Sequence, residues 1–213
     1  MDGNRRWAKK KGLPAKAGHR QGVEALEILV KAAIREKIGI ITVYALSTEN
    51  IKERDKNEIK YLLSLIKEGF ITKLPVLKKE GIKVIFFGDK ESLPFAVRAA
   101  LAKTEKLLSV NKKLVLNVAI NYGSRAEILA AAKATDGKVV TEAEFSENLY
   151  TKSCPDPELI IRTGGQQRLS NFLLWQAAYS ELYFTDTLWP DFDAKAFQKA
   201  LAEFQGRKRN FGA

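Results

Sequence analysis

Four short runs of nearly unbroken apolarity, each followed by polar, turn-forming residues, constrain the fold of this chain more than any other feature. They are Ile40 to Leu46 (IITVYAL), Lys83 to Phe87 (KVIFF), Leu114 to Ile120 (LVLNVAI) and Glu158 to Ile161 (ELII), all of strand length and rich in Val and Ile. A strand with one wet face alternates apolar and polar residues, whereas a strand covered on both faces need not. Helical patterns lie between these runs. His19 to Lys37 places Val23, Leu26, Val30, Ala33 and Ile34 on one face, and Glu58 to Leu77 does the same with Ile59, Leu62, Leu63, Ile66, Phe70, Leu74 and Leu77. Pro75 is expected to kink or end the second of these helices. Pro94 suits the first turn of a helix reaching about Ser109. Ser124 with Glu127 reads as a capping box opening a helix to about Thr135, and Thr141 with Glu144 repeats that signature. Asp193 is placed to cap a last helix whose buried face would carry Phe197, Leu201 and Phe204. Strands alternating with helices imply a mostly parallel α/β sheet.

The chain has 213 residues, with no repeat, low-complexity tract or linker, which suits a single domain over 1–213. The single cysteine, Cys154, allows no internal disulfide and no zinc cluster. Met1 to Lys11 is polar and basic, unlike a signal peptide, and no run approaches the roughly 18 apolar residues of a membrane span. A cytoplasmic protein is expected. Lys and Arg number 36 against 25 Asp and Glu, a net charge of +11. Such a surplus suits a nucleic acid, an anionic membrane surface or a phosphorylated substrate. Solvated lysines such as Lys9-Lys10-Lys11 and Lys78-Lys79 account for part of it, and no RNA- or DNA-binding motif accompanies it.

In open parallel sheets, ligands bind beyond the carboxyl ends of the strands. Here the strands run into Ser47-Thr48-Glu49-Asn50, Gly88-Asp89, Asn121-Tyr122-Gly123-Ser124-Arg125 and Arg162-Thr163-Gly164-Gly165. Gly88-Asp89 reads as a plain turn; the other three are dense in Arg, Asn and Glu. Asp2-Gly3-Asn4 favours a tight turn, and with Arg5, Arg6 and Trp7 it offers a carboxylate for a metal beside guanidiniums for phosphate. Taken alone, the pattern leaves a solvated N-terminal tail equally open, and it leaves His19, the only histidine, as a helix cap or a ligand. Tyr44 to Asn50 could equally be a strand end with a Ser/Thr turn. Arg162 and Arg168 flank a glycine pair, with Ser170 and Asn171 expected to open an apolar helix, so that guanidiniums, hydroxyl and helix-start amides would cradle a diphosphate. Glu181 is the one acid in the aromatic run from Trp175 to Phe184.

Together these segments resemble the cis-prenyltransferase family, most closely its bacterial undecaprenyl diphosphate synthases. The matching blocks are Met-Asp-Gly-Asn-x-Arg-Trp-Ala at 1–8, Gly-His at 18–19, Tyr-Ala-x-Ser-Thr-Glu-Asn at 44–50 and Asn-Tyr-Gly at 121–123. They continue with Ile-Arg-Thr-Gly-Gly at 161–165, Arg-Leu-Ser-Asn-Phe-Leu-Leu-Trp-Gln at 168–176, Tyr-Ser-Glu-Leu-Tyr-Phe at 179–184, Leu-Trp-Pro-Asp-Phe at 188–192 and Arg-x-Phe-Gly at 209–212. The resemblance implies an enzyme that condenses isopentenyl diphosphate units in cis onto an allylic diphosphate such as farnesyl diphosphate. The product would be a long polyprenyl diphosphate, undecaprenyl diphosphate for the carrier lipid of cell-wall synthesis.

It also implies roles. Asp2 would hold magnesium, with Glu181 as the second metal carboxylate. Gly3, Asn4, Arg5, Arg6, Trp7 and His19 would take the allylic head group, with Ser47, Thr48 and Glu49 also contacting substrate. Arg162, Arg168 and Ser170 would take isopentenyl diphosphate, and Asn50 would assist proton removal. An apolar tunnel would be lined by the 19–37 and 58–77 helices with Leu116 and Val118. A homodimer is implied, with the Arg209-Asn210-Phe211-Gly212 tail reaching towards a neighbouring site, as are delivery of product to the membrane, a peripheral position at its inner face, and no nucleic-acid partner. Five positions depart from the family pattern: Arg5, Ala15, Ile51, Glu53 and Gln166. They favour the alternative of a non-catalytic subunit supporting an active partner, while retention of Asp2, Asn50, Arg162, Arg168 and Glu181 favours the enzyme. The family's strand before Asp2 is missing, which suggests a truncated or late-assigned start.

Overall fold

The computed structural model describes residues 1–138 and 141–207, and these form two compact units, taken here in turn. The Arg209 to Gly212 tail lies outside the described residues.

One unit comprises Glu36–Pro155 and Leu169–Trp175. Its centre is a parallel three-stranded sheet in the order β1 (Ile40–Ser47), β3 (Leu114–Tyr122), β2 (Ile82–Phe87). All three strands fall where continuous apolarity put them, and central β3 is buried along almost its whole length. The register sets Ile41 and Val84 beside Leu116, and Val43 and Phe86 beside Val118, so these residues share one face. Helix α4 (Lys56–Lys79) packs on that face, with the Phe70 ring edge-on to Phe86 at 4.7 Å, and α5 (Phe95–Leu108) lies beside it. Towards its end β3 changes phase: Asn121 has φ 50, and Tyr122 joins Tyr44, Phe87 and Phe172 in an aromatic cluster. Helices α3 (Thr48–Glu53), α6 (Ser124–Ala134) and α7 (Glu142–Ser146) complete the unit.

Pro75 does not end α4, which runs four residues further. Proline removes the bond to the Ile71 carbonyl, but Ile71 and Pro75 are both exposed, so water can satisfy that oxygen. The capping box at Thr141 and Glu144 forms. The one expected at Ser124 does not, because Gly123 is the N-cap there. Ser124 Oγ instead accepts from the Leu174 amide at 3.0 Å, and the buried Glu127 carboxylate accepts from the Tyr122 hydroxyl at 2.6 Å and the Tyr150 amide at 2.8 Å. Three donors from elsewhere in the unit took the two acceptors that the local pattern assigned to a cap.

Gly69 lies within α4 with nothing within 4 Å of where a Cβ would sit. Gly69→Ala is expected to stabilise this unit by ~0.5–1 kcal/mol through backbone entropy. The check is the urea midpoint at constant slope, and a lower midpoint would contradict the packing described around α4.

The other unit comprises, among the described residues, Met1–Arg35, Asp156–Arg168 and 176–207. It contains α1 (Asn4–Lys10), α2 (Ala15–Arg35), β4 (Leu159–Arg162), β5 (Glu181–Phe184), a 3-10 turn at Trp189–Asp191 and α8 (Ala194–Gly206). Strands β4 and β5 pair in parallel. Helix α2 starts earlier than its apolar stripe suggests. Strand β5 was not expected: a four-residue segment with one acid and two aromatics has too little alternation to declare itself. Trp189, buried, donates its indole N–H to the Gly22 carbonyl at 2.8 Å, and Trp7 donates to Asp191 at 2.7 Å, which ties α1 and α2 to the 3-10 turn. Asp193 caps α8 by accepting from the Ala196 amide. Phe197 is buried as expected, whereas Leu201 and Phe204 are half-buried.

Candidate active site

Two of the expected groups assemble within the unit that contains the N-terminal helices. Gly3, at φ 116, turns the chain between Asp2 and α1. A Cβ there would sit 2.8 Å from Leu188 Cδ2, so glycine is required both by conformation and by space. The Asp2 backbone is clamped by Thr163, whose hydroxyl accepts from the Asp2 amide and donates to its carbonyl, both at 2.9 Å. The Trp189 amide donates to the same carbonyl at 2.9 Å. With its backbone fixed, Asp2 projects a half-exposed carboxylate between two guanidiniums, Arg6 at 3.1 Å and Arg162 at 3.2 Å. Arg6 also donates to the Gly164 carbonyl at 2.7 Å, and Arg162 donates to the Arg168 carbonyl. Gly164 and Gly165 have φ 88 and 76, and a Cβ on Gly164 would lie 2.5 Å from Arg6 Nη2.

Burial pushes the Asp2 carboxyl up, but the hydrogen bonds from Arg162 and Arg6 outweigh it and hold the group below the usual carboxylate range. The result is a fixed anion in a cationic surround. Arg162 is the more enclosed of the two arginines and Arg6 the more open. Arg168 is exposed and donates to the Gln166 side chain at 2.7 Å. His19 is buried inside α2 rather than capping it, Asn4 opens α1, and Arg5 is exposed.

Glu181 takes a different arginine from Asp2. It begins β5 opposite Leu159, whereas Arg162 ends β4 opposite Phe184, three residue steps or ~10 Å along the strands. Its carboxylate pairs with Arg207 at 2.7 Å. Among the described residues no group of three or more His, Cys, Asp or Glu gathers as a metal cage. A magnesium ion does not need one: it is commonly held by one or two carboxylates, with phosphate oxygens and water completing the octahedron. The half-exposed Asp2 carboxylate beside the Arg6 and Arg162 guanidiniums fits that requirement.

The remaining candidates lie in the unit built on the three-stranded sheet. Ser47 ends β1 and caps α3, accepting from the Asn50 amide at 3.0 Å, so Thr48, Glu49 and Asn50 form the first turn of α3 at the carboxyl edge of the sheet. Ser170 and Asn171 do not open a helix. Ser170, Asn171 and Leu173 have φ 50, 63 and 47, a left-handed conformation costing ~1–2 kcal/mol per residue that stops helix propagation. The segment is held by side chains instead. Asn171 donates to Glu49 at 2.8 Å, accepts from the Arg125 amide at 2.8 Å, and accepts at its own carbonyl from the Ser124 amide at 2.8 Å. Phe172 stacks on Tyr44 at 4.7 Å. Burial pushes the Glu49 carboxyl up, but hydrogen bonds led by that from Asn171 hold it below its ordinary range. Burial, helped by Glu49, pushes the Tyr44 phenol well up, so it remains a neutral donor, here to the Tyr122 carbonyl at 2.9 Å.

Thr163, which clamps Asp2, and Asn171, which ties Glu49 to the 169–175 segment, escaped the sequence reading as site residues. Both stood inside quoted motifs, but nothing in a linear pattern announces a partner 161 or 122 positions away.

This arrangement has known relatives. The family model described as "Putative undecaprenyl diphosphate synthase" matches residues 1–212. An isoprenyl transferase of Streptococcus mutans is 48% identical over 225 residues, covering 100% of this chain and 90% of the relative. The structure of lavandulyl diphosphate synthase from Lavandula x intermedia, in complex with dimethylallyl diphosphate, superposes with a TM-score of 0.96 at 34% identity, covering 100% of this chain and 95% of that one. A probable undecaprenyl diphosphate synthase from Campylobacter jejuni gives 0.83 at 34% identity, covering 91% and 93%. The chain belongs to the isoprenyl transferase family of the undecaprenyl diphosphate synthase type, and is therefore a prenyltransferase acting on prenyl diphosphates. No helix among the described residues is long and apolar enough to cross a membrane.

Proposed function

We propose that this enzyme condenses isopentenyl diphosphate units in cis onto an allylic diphosphate such as farnesyl diphosphate and releases undecaprenyl diphosphate, the carrier lipid for cell-wall synthesis. The observation that carries the reading is the Asp2 carboxylate set between Arg6 and Arg162 at 3.1 and 3.2 Å on a backbone clamped by Thr163. Carbon–oxygen ionisation of an allylic diphosphate throws negative charge onto the leaving group, and catalysis requires cations already fixed where that charge develops. Arg6, Asn4 and the Gly3 turn hold the allylic head group, with Arg5, Trp7 and His19 around it. Arg162 and Arg168 take the diphosphate of isopentenyl diphosphate, with Ser170 as a further donor. Ser47, Thr48 and Glu49 contact substrate, and Asn50 orients the isopentenyl group and assists loss of its proton.

Asp2 would hold magnesium, which neutralises diphosphate charge when bound. Glu181 would serve it only after release from Arg207. The apolar chain grows along α4 and the Leu116–Val118 face of the sheet, where Ile59, Leu65, Ile66, Phe70, Leu74 and Leu77 are only half-buried although apolar. Each methylene buried there is worth roughly 0.8 kcal/mol. A homodimer, one catalytic domain made of both units, and product delivery at the inner face of the membrane complete the proposal.

The test is incorporation of radiolabelled isopentenyl diphosphate with magnesium onto dimethylallyl, geranyl and farnesyl primers, with mass analysis of the products. Label in a long polyprenyl diphosphate is the expected result. A short product would remove the undecaprenyl assignment and leave the condensation, while no incorporation with any primer would remove both.

A further inference from the structure

The sheet of the Glu36–Pro155 unit has two unlike ends. The carboxyl end of β1 leads into Ser47 to Asn50. At the amino end the chain brings together the three connections that lead into β1, β2 and β3. Helix α4 finishes at Lys79, just before β2 begins at Ile82, and α5 finishes at Leu108, just before β3 begins at Leu114. The Asn111 side-chain amide donates to the Ile82 carbonyl at 2.8 Å, the Lys113 amide donates to Gly81, and the Val115 amide donates to Gly39 at the start of β1.

Six lysines border this end: Lys37, Lys78, Lys79, Lys106, Lys112 and Lys113. All six are exposed, and the acids in the same stretches are Glu36 and Glu80 alone. Lysines in a last helical turn are favoured by the helix dipole, which accounts for Lys78, Lys79 and Lys106 without any ligand. It does not account for Lys37, Lys112 and Lys113, which lie outside the helices. Apolar side chains stand among the charges: Val110 is 77% exposed, Val76 49% and Leu107 40%. Val110 is on the short connection between α5 and β3, where no packing requirement places a branched aliphatic residue in water.

Exposed cations and exposed aliphatic groups on the same connections match the two layers of an anionic bilayer surface, phosphates outside and acyl chains beneath. We infer that the amino end of this sheet, through Lys37, Lys78, Lys79, Lys106, Lys112 and Lys113 with Val76, Leu107 and Val110, is a docking face for anionic phospholipid. The inference rests on the reading that the product is a polyprenyl lipid, and it adds the surface by which the enzyme meets the membrane that receives it. Docking here leaves the β1 carboxyl end, with Ser47 to Asn50, away from the lipid and open to water-soluble substrate.

The test is flotation of the full chain with phosphatidylglycerol–phosphatidylcholine vesicles and with phosphatidylcholine vesicles alone. The wild type is expected to float with the anionic vesicles only. Replacing Lys112 and Lys113 by Gln is expected to lower partition roughly 25-fold, about fivefold per lysine near an anionic surface. The same change at Lys195 and Lys199 on α8, equal in charge, is expected to lower it by no more than about twofold. Val110→Asp is expected to weaken binding without changing the molar mass by light scattering. Equal effects of the two lysine pairs would overturn the inference, as would binding to neutral vesicles alone. So would a change of molar mass in Val110→Asp, which would assign the face to a second copy, or binding of a short RNA through Lys112 and Lys113 with no vesicle binding. Condensation on a farnesyl primer is measured on the same preparations. Activity without vesicle binding removes the docking face only, whereas vesicle binding without activity removes the functional reading and leaves the face standing.

Discussion

Asp2→Ala is expected to lower turnover by at least about a hundredfold while leaving the protein folded. The scale follows from the proposed role: the carboxylate fixes the Arg6 and Arg162 guanidiniums where the leaving diphosphate would develop charge, and loss of such electrostatic preorganisation commonly costs ~10²–10³ in rate. Stability changes little, because the carboxylate is 37% exposed and its pairs with Arg6 and Arg162 are partly solvated. Partly solvated pairs contribute roughly 0–1 kcal/mol, a fall in Tm of at most about 2–4 °C for a chain of this size. The Thr163 clamp acts on the Asp2 backbone and survives truncation of the side chain.

The isosteric Asp2→Asn variant adds a pH signature. Because the folded carboxyl is held below its ordinary value of 3.8, the stability it contributes is fully present above that value. That stability is lost as pH falls through the depressed folded value. The stability gap between wild type and Asp2→Asn should therefore be flat from neutrality down to about pH 5 and close under more acid conditions. Urea unfolding across pH, beside isopentenyl diphosphate incorporation at neutral pH, measures both. Unchanged turnover in Asp2→Ala would remove Asp2 from the chemistry, and a gap that widens on acidification would contradict the pairing.

What could be read from the sequence divides according to how far each feature reaches. Strands β1, β2, β3 and β4 were legible because each is a short run of consecutive apolar residues, most complete in the buried β3. The Asp193 cap and the Thr141–Glu144 box were legible for the same reason: cap and partner lie within one turn. Ser124 and Glu127 carry the same letters and make no box, since Leu174, Tyr122 and Tyr150 claim their oxygens from elsewhere. The helix expected to open at Ser170 and Asn171 was a misreading, because the left-handed residues are Ser, Asn and Leu rather than glycine and tertiary contacts of Asn171, Phe172 and Leu174 hold the segment.

The site followed the same division. The Asp2 turn and its arginines were legible as types, and Gly164–Gly165 as a glycine pair flanked by Arg162 and Arg168. That Arg162 meets Asp2 across 160 positions, while Glu181 turns to Arg207 instead, is decided by the pairing of β4 with β5. The sequence signal for that pairing was too short to read.

Gly18→Ala is the substitution expected to damage the fold most, although Gly18 drew notice only as the neighbour of His19. Helix α1 lies against α2 along Gly18 and Gly22, one turn apart on the same face. A Cβ on Gly18 would sit 2.0 Å from the Asn4 carbonyl oxygen and 3.2 Å from Ala8 Cβ. The obstacle is backbone, which cannot rotate aside, so α1 would have to withdraw by ~1 Å or more from a close-packed contact. A Cβ on Gly22 meets the end of the Asn4 side chain at 2.5 Å, which can swing, and the Trp189 ring at 3.0 Å, which must give by a few tenths of an ångström. The two variants are therefore expected to separate: about 3 kcal/mol and a Tm lower by about 6–12 °C for Gly18→Ala, against about 1 kcal/mol for Gly22→Ala. Turnover should fall with Gly18→Ala beyond what the unfolded fraction explains, because α1 carries Arg6 and its first turn fixes the Asp2 carboxylate at 3.1 Å. Thermal melts of both variants with activity measured below the transition decide the matter. A Gly18→Ala protein as stable as Gly22→Ala would break the link between the helix crossing and the charge cluster, for the position of Arg6 depends on how closely that small-residue groove lets α1 approach.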